Sequence, residues 1–154
     1  MDWSFLGQLG AILCFAMGAS GSSLGIWTAG QAAAGAWARD AKAGKPLRPI
    51  YTLFIGAPLS QTFYAMIVMF QMSKVLAAPG AAAAHAGELF GIGLATGLGE
   101  LLSAWGQGAI GAAAVRSLSE SDGKGVAFLV VAIGIIETVG IFSMVLVLGM
   151  IPKV

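Results

Sequence analysis

Charge is what this sequence has least of. Only 15 of its 154 residues are Asp, Glu, Lys or Arg, or 10%, where a water-soluble domain carries about 25%, so a soluble globule is excluded. A single cysteine, Cys14, rules out an internal disulfide and any cysteine-cluster metal site, and reads as a packing residue. The one histidine, His85, falls in an Ala-rich link and is expected to be exposed. The eight Lys and Arg residues are punctuation between apolar runs; they form no patch for nucleic acid. No positively charged segment precedes the first apolar run, which is too long for a cleaved signal peptide, so that run is expected to stay as a permanent helix.

What is present is apolar surface and glycine: 58% hydrophobic residues, 23 glycines and a mean hydropathy of +0.88 in 15.6 kDa. Trp3 to Ala38 is 36 residues without a charge, and Pro49 to Ser73 is another 25. Leu89 to Val115 carries only Glu100, and Gly125 to Pro152 only Glu137. Each run exceeds the roughly 20 helical residues that cross a bilayer core. The expectation is an all-α membrane protein with four transmembrane helices. One hairpin is expected in residues 1–76, with helices about 4–38 and 50–75, and a second in 77–154, with helices about 87–116 and 125–151. Arg39, Lys42, Lys45 and Arg48 lie between the first two spans, and Arg116 and Lys124 flank the link between the last two. By the positive-inside rule both hairpin loops are cytoplasmic and both termini outside, in a multi-pass cell-membrane protein.

Sliding the sequence by 76 residues places Gly21, Gly30, Gln31, Ala33, Gly35 and Ala36 on identical residues and, with no gap, puts Gln61 on Glu137. A duplicated hairpin explains both coincidences. An even number of spans per copy gives both hairpins one orientation, a parallel repeat. Gln31 and Gln61 are 30 residues apart, as are Gln107 and Glu137. Each member is therefore up to ~22 Å from its turn, and the members of a pair are expected to face one another at equal depth. Spans one and three are rich in Gly, Ala and Ser, with Gly21/Gly25 and Gly93/Gly97 at small-xxx-small spacing. Such spacing lets helix backbones approach closely, so these two spans should pack among protein while the Ile, Val, Leu and Phe of spans two and four face lipid. Composition leaves open whether the small-residue faces meet within one chain or between identical neighbours.

Glu137 lies mid-way along span four, and no basic residue lies within the four spans to pair with it. An unpaired ionised acid there costs a few kcal/mol or more, so it must be protonated or neutralised by a bound cation. Span two contributes Pro58, Ser60, Gln61 and Tyr64 within about a turn and a half. Proline removes an amide donor and disturbs the carbonyls of the preceding turn. Side-chain oxygens of Ser60, Gln61 and Gln107, the Glu137 carboxylate and a carbonyl near Ala57 make an all-oxygen set. One formal charge with several neutral oxygens suits a monovalent cation better than a divalent one. Tyr64, close to the face of Gln61, is placed to hold the carboxylate.

These features resemble the proteolipid, or rotor-ring, subunit of V-type and A-type ATPases in its four-helix form, over essentially the whole chain. The residues that carry the likeness are the duplicated hairpin, Pro58-Leu59-Ser60-Gln61-Thr62-Phe63-Tyr64 (Pro-x-Thr-Gln-x-x-Tyr in the family), Gln107 within Ala104-Trp105-Gly106-Gln107-Gly108, and Glu137-Thr138. The likeness is to the sodium-translocating members in particular. It implies Glu137 as essential carboxylate, Gln107, Gln61, Ser60 and the Ala57 carbonyl as Na⁺ ligands, and Tyr64 and Thr138 as partners behind them. Serine in place of threonine keeps the hydroxyl oxygen. The resemblance also implies a homo-oligomeric ring of identical subunits turning in lipid against a stator membrane subunit. Central-stalk subunits would couple it to ATP hydrolysis or synthesis, with no catalytic centre in this chain. The same carboxylate could carry H⁺ in place of Na⁺.

Glu100 departs from the family pattern. It precedes Gln107 by seven residues on roughly the same face, about 10 Å away by helical rise, and is expected to be a hydrogen-bonded neutral acid or a group near a wet ring lumen, with a second ion site as the alternative. Glu88 is expected to mark the start of span three. Two rival readings fit less. A small four-helix proton-coupled transporter places its buried acid in the first helix, where this chain has none. A purely structural tetraspan leaves Ser60, Gln61, Gln107 and Glu137 without a role.

Overall fold

The computed structural model describes residues 3–154. Its helices are α1 (Ser4–Lys42), α2 (Tyr51–Gly56), α3 (Ser60–Ala77), α4 (Ala81–Ala84), α5 (Ala86–Glu120) and α6 (Val126–Leu148), with a 3₁₀ turn at Ala57–Leu59 joining α2 to α3. Pro58 sits in that turn: without an amide proton it cannot continue the α ladder, and the tighter turn absorbs the break. The span is otherwise continuous, so among the described residues four helical rods, 4–42, 51–77, 86–120 and 126–148, are long and apolar enough to cross a membrane.

Glycine decides how the rods assemble. The most extensive helix pair is α1 with α5, two parallel rods whose backbones touch at Gly10 with Gly93 and at Gly25 with Gly108. Gly21 backs onto the main chain of Leu101, where a Cβ would come within 2.5 Å of the Leu101 Cα. The small-residue faces therefore meet within one chain. Around this pair lie α3 and α6. Of α6 only Ile133 and Gly140 are buried, whereas α5 buries residues along its whole length. The apolar face of α6 has no protein cover within the chain, which suits a lipid-facing helix.

The core has two apolar layers. One gathers Cys14, Ala65, Val68, Met72, Leu89 and Ile92; the other gathers Ala33, Tyr51, Phe54, Val115, Leu118 and Ile133. Between them runs a polar layer of fully buried Gln61, Thr96, Glu100, Ser103 and Gln107, with Ser22 beside it. Cys14 is buried, its thiol 3.5 Å from the Ala65 carbonyl.

At the loop end a second polar cluster ties the hairpins together. Asp40, 1% exposed, pairs with Arg48 at 3.1 Å and accepts hydrogen bonds from Tyr51 Oη at 2.9 Å and Ser119 Oγ at 2.6 Å. Asp122 in the other loop takes Lys45 at 2.6 Å and Arg48 at 3.4 Å. Left-handed Asp122, Gly123 and Gly125 make the tight turn before α6.

Several expectations are modified. α1 and α5 run on to Lys42 and Glu120, four residues beyond their expected ends: Arg39 and Lys42 in the last turn of α1 favour its dipole, and the last turn of α5 is tied to α1 through Ser119, which bonds Asp40 and Arg39. α6 stops at Leu148, just before Gly149. The short α4 lies in the link, where His85 is partly covered and meets Glu88 at 3.0 Å. Glu88 stands in the first turn of α5. Gln31 does not face Gln61: α3 meets α1 through Gly18 and Ser22, and Gln31 is exposed. The physical reason is that α1 overshoots the turn. The chain folds back along it, with the Trp37 indole N–H donating to the Arg48 carbonyl at 3.1 Å, before α2 begins.

Candidate ion-binding site

The site is built where α3, α5 and α6 pass the polar layer. Starting α3 directly after the 3₁₀ turn places Ser60 Oγ 3.0 Å from the Ala57 carbonyl and 3.0 Å from Gln61 Oε1. Pro58 serves a further contact: its carbonyl accepts from Ser22 Oγ at 2.6 Å, and Thr62 Oγ1 donates to the same serine at 2.8 Å. One turn beyond Ser60, the Tyr64 hydroxyl donates to Glu137 Oε1 at 3.0 Å. Both residues are half-buried, so the carboxylate lies at the outer surface of the bundle while its anchor is on the neighbouring helix.

Behind this pair the groups are sealed. Gln61 Nε2 donates to Ser103 Oγ at 3.2 Å, and Ser103 Oγ donates to the carbonyl of Ile136, next to Glu137, at 2.9 Å. Gln107 is fully buried and neither its Oε1 nor its Nε2 has a partner among the described residues. Unpaired buried amides are rare and costly, and an unpartnered side-chain carbonyl is a group that a desolvated small cation can satisfy. Ser60, Gln61, the Ala57 carbonyl, Tyr64 and Glu137 are thus brought together in two linked sets, and Gln107 is enclosed in the same layer. Thr138 is not: it is exposed and donates to the Ile135 carbonyl at 2.7 Å.

Glu100 differs from its expectation. It is fully buried, and both carboxyl oxygens are without a hydrogen-bond partner among the described residues. It also borders Gln61 and Ser103. Its Oε2, Gln61 Nε2 and Ser103 Oγ would lie 2.7, 3.0 and 3.2 Å from a Cβ placed on Gly140. Among the described residues no cation stands within ion-pair distance of Glu100 or Glu137. Sequence reasoning missed Ser103 and Gly140. For Ser103 a signal existed: Thr96, Glu100, Ser103 and Gln107 follow one another at spacings of four, three and four, which is a single helix face.

The family model for the ATP synthase C subunit matches the chain twice, over residues 9–72 and again over 90–150. The chain belongs to the ATP synthase C-subunit family. One match on each hairpin agrees with a duplicated unit. As a proteolipid of this family with four long apolar helices, it is an integral membrane protein and a c-type rotor component, an ion-translocating and not a catalytic part of the complex. Comparison with curated proteins returned no match.

Proposed function

We propose that this chain is the ring-forming subunit of a V/A-type rotary ATPase and that its cargo is Na⁺, carried on Glu137. The observation that supports this most directly is the hydrogen bond from Tyr64 to Glu137 Oε1 at 3.0 Å, on a helix with few buried residues. It fixes one carboxylate oxygen and leaves the other free for a cation. The further ligands in this reading are neutral oxygens: Gln61 Oε1, Ser60 Oγ and the Ala57 carbonyl, which lie together on α3 and the turn before it, and Gln107 Oε1, buried without a partner among the described residues. One carboxylate and one monovalent cation sum to zero charge, and only a neutral site faces hydrocarbon cheaply. Occupancy therefore licenses rotation through lipid, and an emptied carboxylate is held back at the stator. Identical copies form the ring, a stator membrane subunit supplies entry and exit paths, and the paired loops at the Asp40–Asp122 end face the cytoplasmic central stalk. Gln61 stands where the second hairpin has Glu137, so each four-helix chain carries one ion at this site.

The test is carbodiimide labelling of the purified protein with peptide mass analysis. Carbodiimides attack protonated carboxyls, so Glu137 should be labelled at low pH and protected by Na⁺ at constant pH and ionic strength. Labelling that depends on pH alone would replace Na⁺ by H⁺ as cargo. An unreactive Glu137 beside a reactive Glu100 would overturn the choice of carboxylate.

A further inference from the structure

We propose that Ser103 is a positioning residue: it fixes which end of the Gln61 amide faces the ion and so sets the preference of the site for a metal cation over a proton. The inference rests on the reading above, in which Gln61 and Glu137 hold a cation.

An amide side chain presents an oxygen on one side and an NH₂ on the other, and only the oxygen can ligate a cation. Two contacts determine which way Gln61 points. On one side, Ser60 Oγ lies 3.0 Å from both Gln61 Oε1 and the Ala57 carbonyl and shares its one proton between them. On the other, Ser103 Oγ accepts from Gln61 Nε2 at 3.2 Å. The second contact is the more selective. A hydroxyl has a single proton, and that of Ser103 is committed to the Ile136 carbonyl at 2.9 Å, a group that can only accept. Toward Gln61, Ser103 is therefore an acceptor alone, and a reversed amide would set oxygen against oxygen. Polarity passes from the α6 backbone beside Glu137, through Ser103 on α5, to Gln61 on α3.

Glu100 reinforces the same choice. Its unpartnered Oε2 and Gln61 Nε2 would lie 2.7 and 3.0 Å from a Cβ on Gly140. The second amide proton and a free carboxyl oxygen thus border one small space, and a carboxyl keeps an accepting oxygen whether or not it is protonated. Gly140 leaves the room in which they converge, since a Cβ there would crowd all three groups.

The experiment compares wild type, Ser103→Ala and Ser103→Thr as whole purified protein, reading the Na⁺ concentration that half-protects Glu137 from carbodiimide and the pH midpoint of labelling without Na⁺. Ser103→Ala should raise the half-protecting concentration about tenfold, with the pH midpoint held to on the order of half a unit. Ser103→Thr, which keeps the hydroxyl, should stay within about twofold of wild type. Unchanged protection in Ser103→Ala, equal weakening of sodium and proton binding, or failure of Thr to restore protection would each overturn the assignment. If Na⁺ fails to protect wild-type Glu137, the sodium reading and this inference fall together; if wild type is protected and Ser103→Ala matches it, only this inference falls.

Discussion

The Tyr64 hydroxyl reaches across from α3 to donate to Glu137 Oε1 on α6 at 3.0 Å, and this bond between neighbouring helices holds the carboxylate in place. Tyr64→Phe keeps the ring and removes the donor. A hydrogen bond to an ionised group is worth about 1.5–3 kcal/mol, so Na⁺ affinity should fall at least about tenfold. Sodium protection of Glu137 from carbodiimide checks this, and unchanged protection would remove Tyr64 from the site.

Close glycine contacts make a second, purely structural prediction. A Cβ on Gly108 would collide with the backbone of Gly25, whereas one on Gly134 meets nothing within 4 Å. Gly108→Ala should destabilise the bundle by about 2 kcal/mol through forced separation of α1 and α5, while Gly134→Ala should be neutral or stabilising by up to about 1 kcal/mol. Thermal unfolding of both variants in one detergent provides the comparison.

Four spans and the duplicated hairpin are legible because hydropathy and internal repetition carry them directly, and Gln61, Gln107, Tyr64 and Glu137 stand out as polar groups within apolar runs. The rest depended on how the rods slide and rotate against each other, which composition does not encode. Gln31 illustrates this: the internal repeat aligned it with Gln107, but the fold-back of residues 43–50 along α1 leaves it exposed and away from Gln61. Ser103 was visible only as part of a polar stripe on α5. Its use depends on meeting both Gln61 and the Ile136 carbonyl. Nothing in spacing or hydropathy marks Asp40, yet it is 1% exposed and holds Arg48, Tyr51 and Ser119.

That Asp40 cluster predicts how the loop end responds to mutation and acid. Asp40→Ala leaves Arg48 without its buried partner and should cost about 3 kcal/mol. Lys45→Ala removes only a solvent-exposed pair with Asp122 and should leave the unfolding midpoint nearly unchanged. The side-chain hydrogen bond and charge of Lys45, helped by Arg48, hold the Asp122 carboxyl below its ordinary value of 3.8. A carboxyl lowered in the folded state adds stability above its unfolded value and loses it as pH falls through the folded one. Asp40, buried but accepting from Ser119 and Tyr51 and paired with Arg48, is lowered as well. Protection of the amides of residues 43–50 and 121–125, taken relative to their intrinsic exchange rates, should therefore hold at neutral pH and weaken only below about pH 4. Loosening of the loops between about pH 5 and 7 would contradict the assignment.

Gln107 offers the cleanest separation of stability from binding. Both of its amide atoms are buried and unpartnered among the described residues, so the ion-free chain gains no hydrogen bond from them and bears the desolvation of a polar group. Gln107→Leu, close in volume and apolar, should leave unfolding without Na⁺ unchanged or raise its midpoint slightly, because removing an unsatisfied buried group is neutral or favourable. In the ion-bound state the same change deletes a ligand oxygen. Sodium affinity should fall about tenfold or more, and the extra stability conferred by Na⁺ should shrink with it. Thermal unfolding of wild type and Gln107→Leu over a Na⁺ titration reads both quantities at once. A variant destabilised without Na⁺ yet stabilised by it as strongly as wild type would make Gln107 a packing residue and remove it from the ion site.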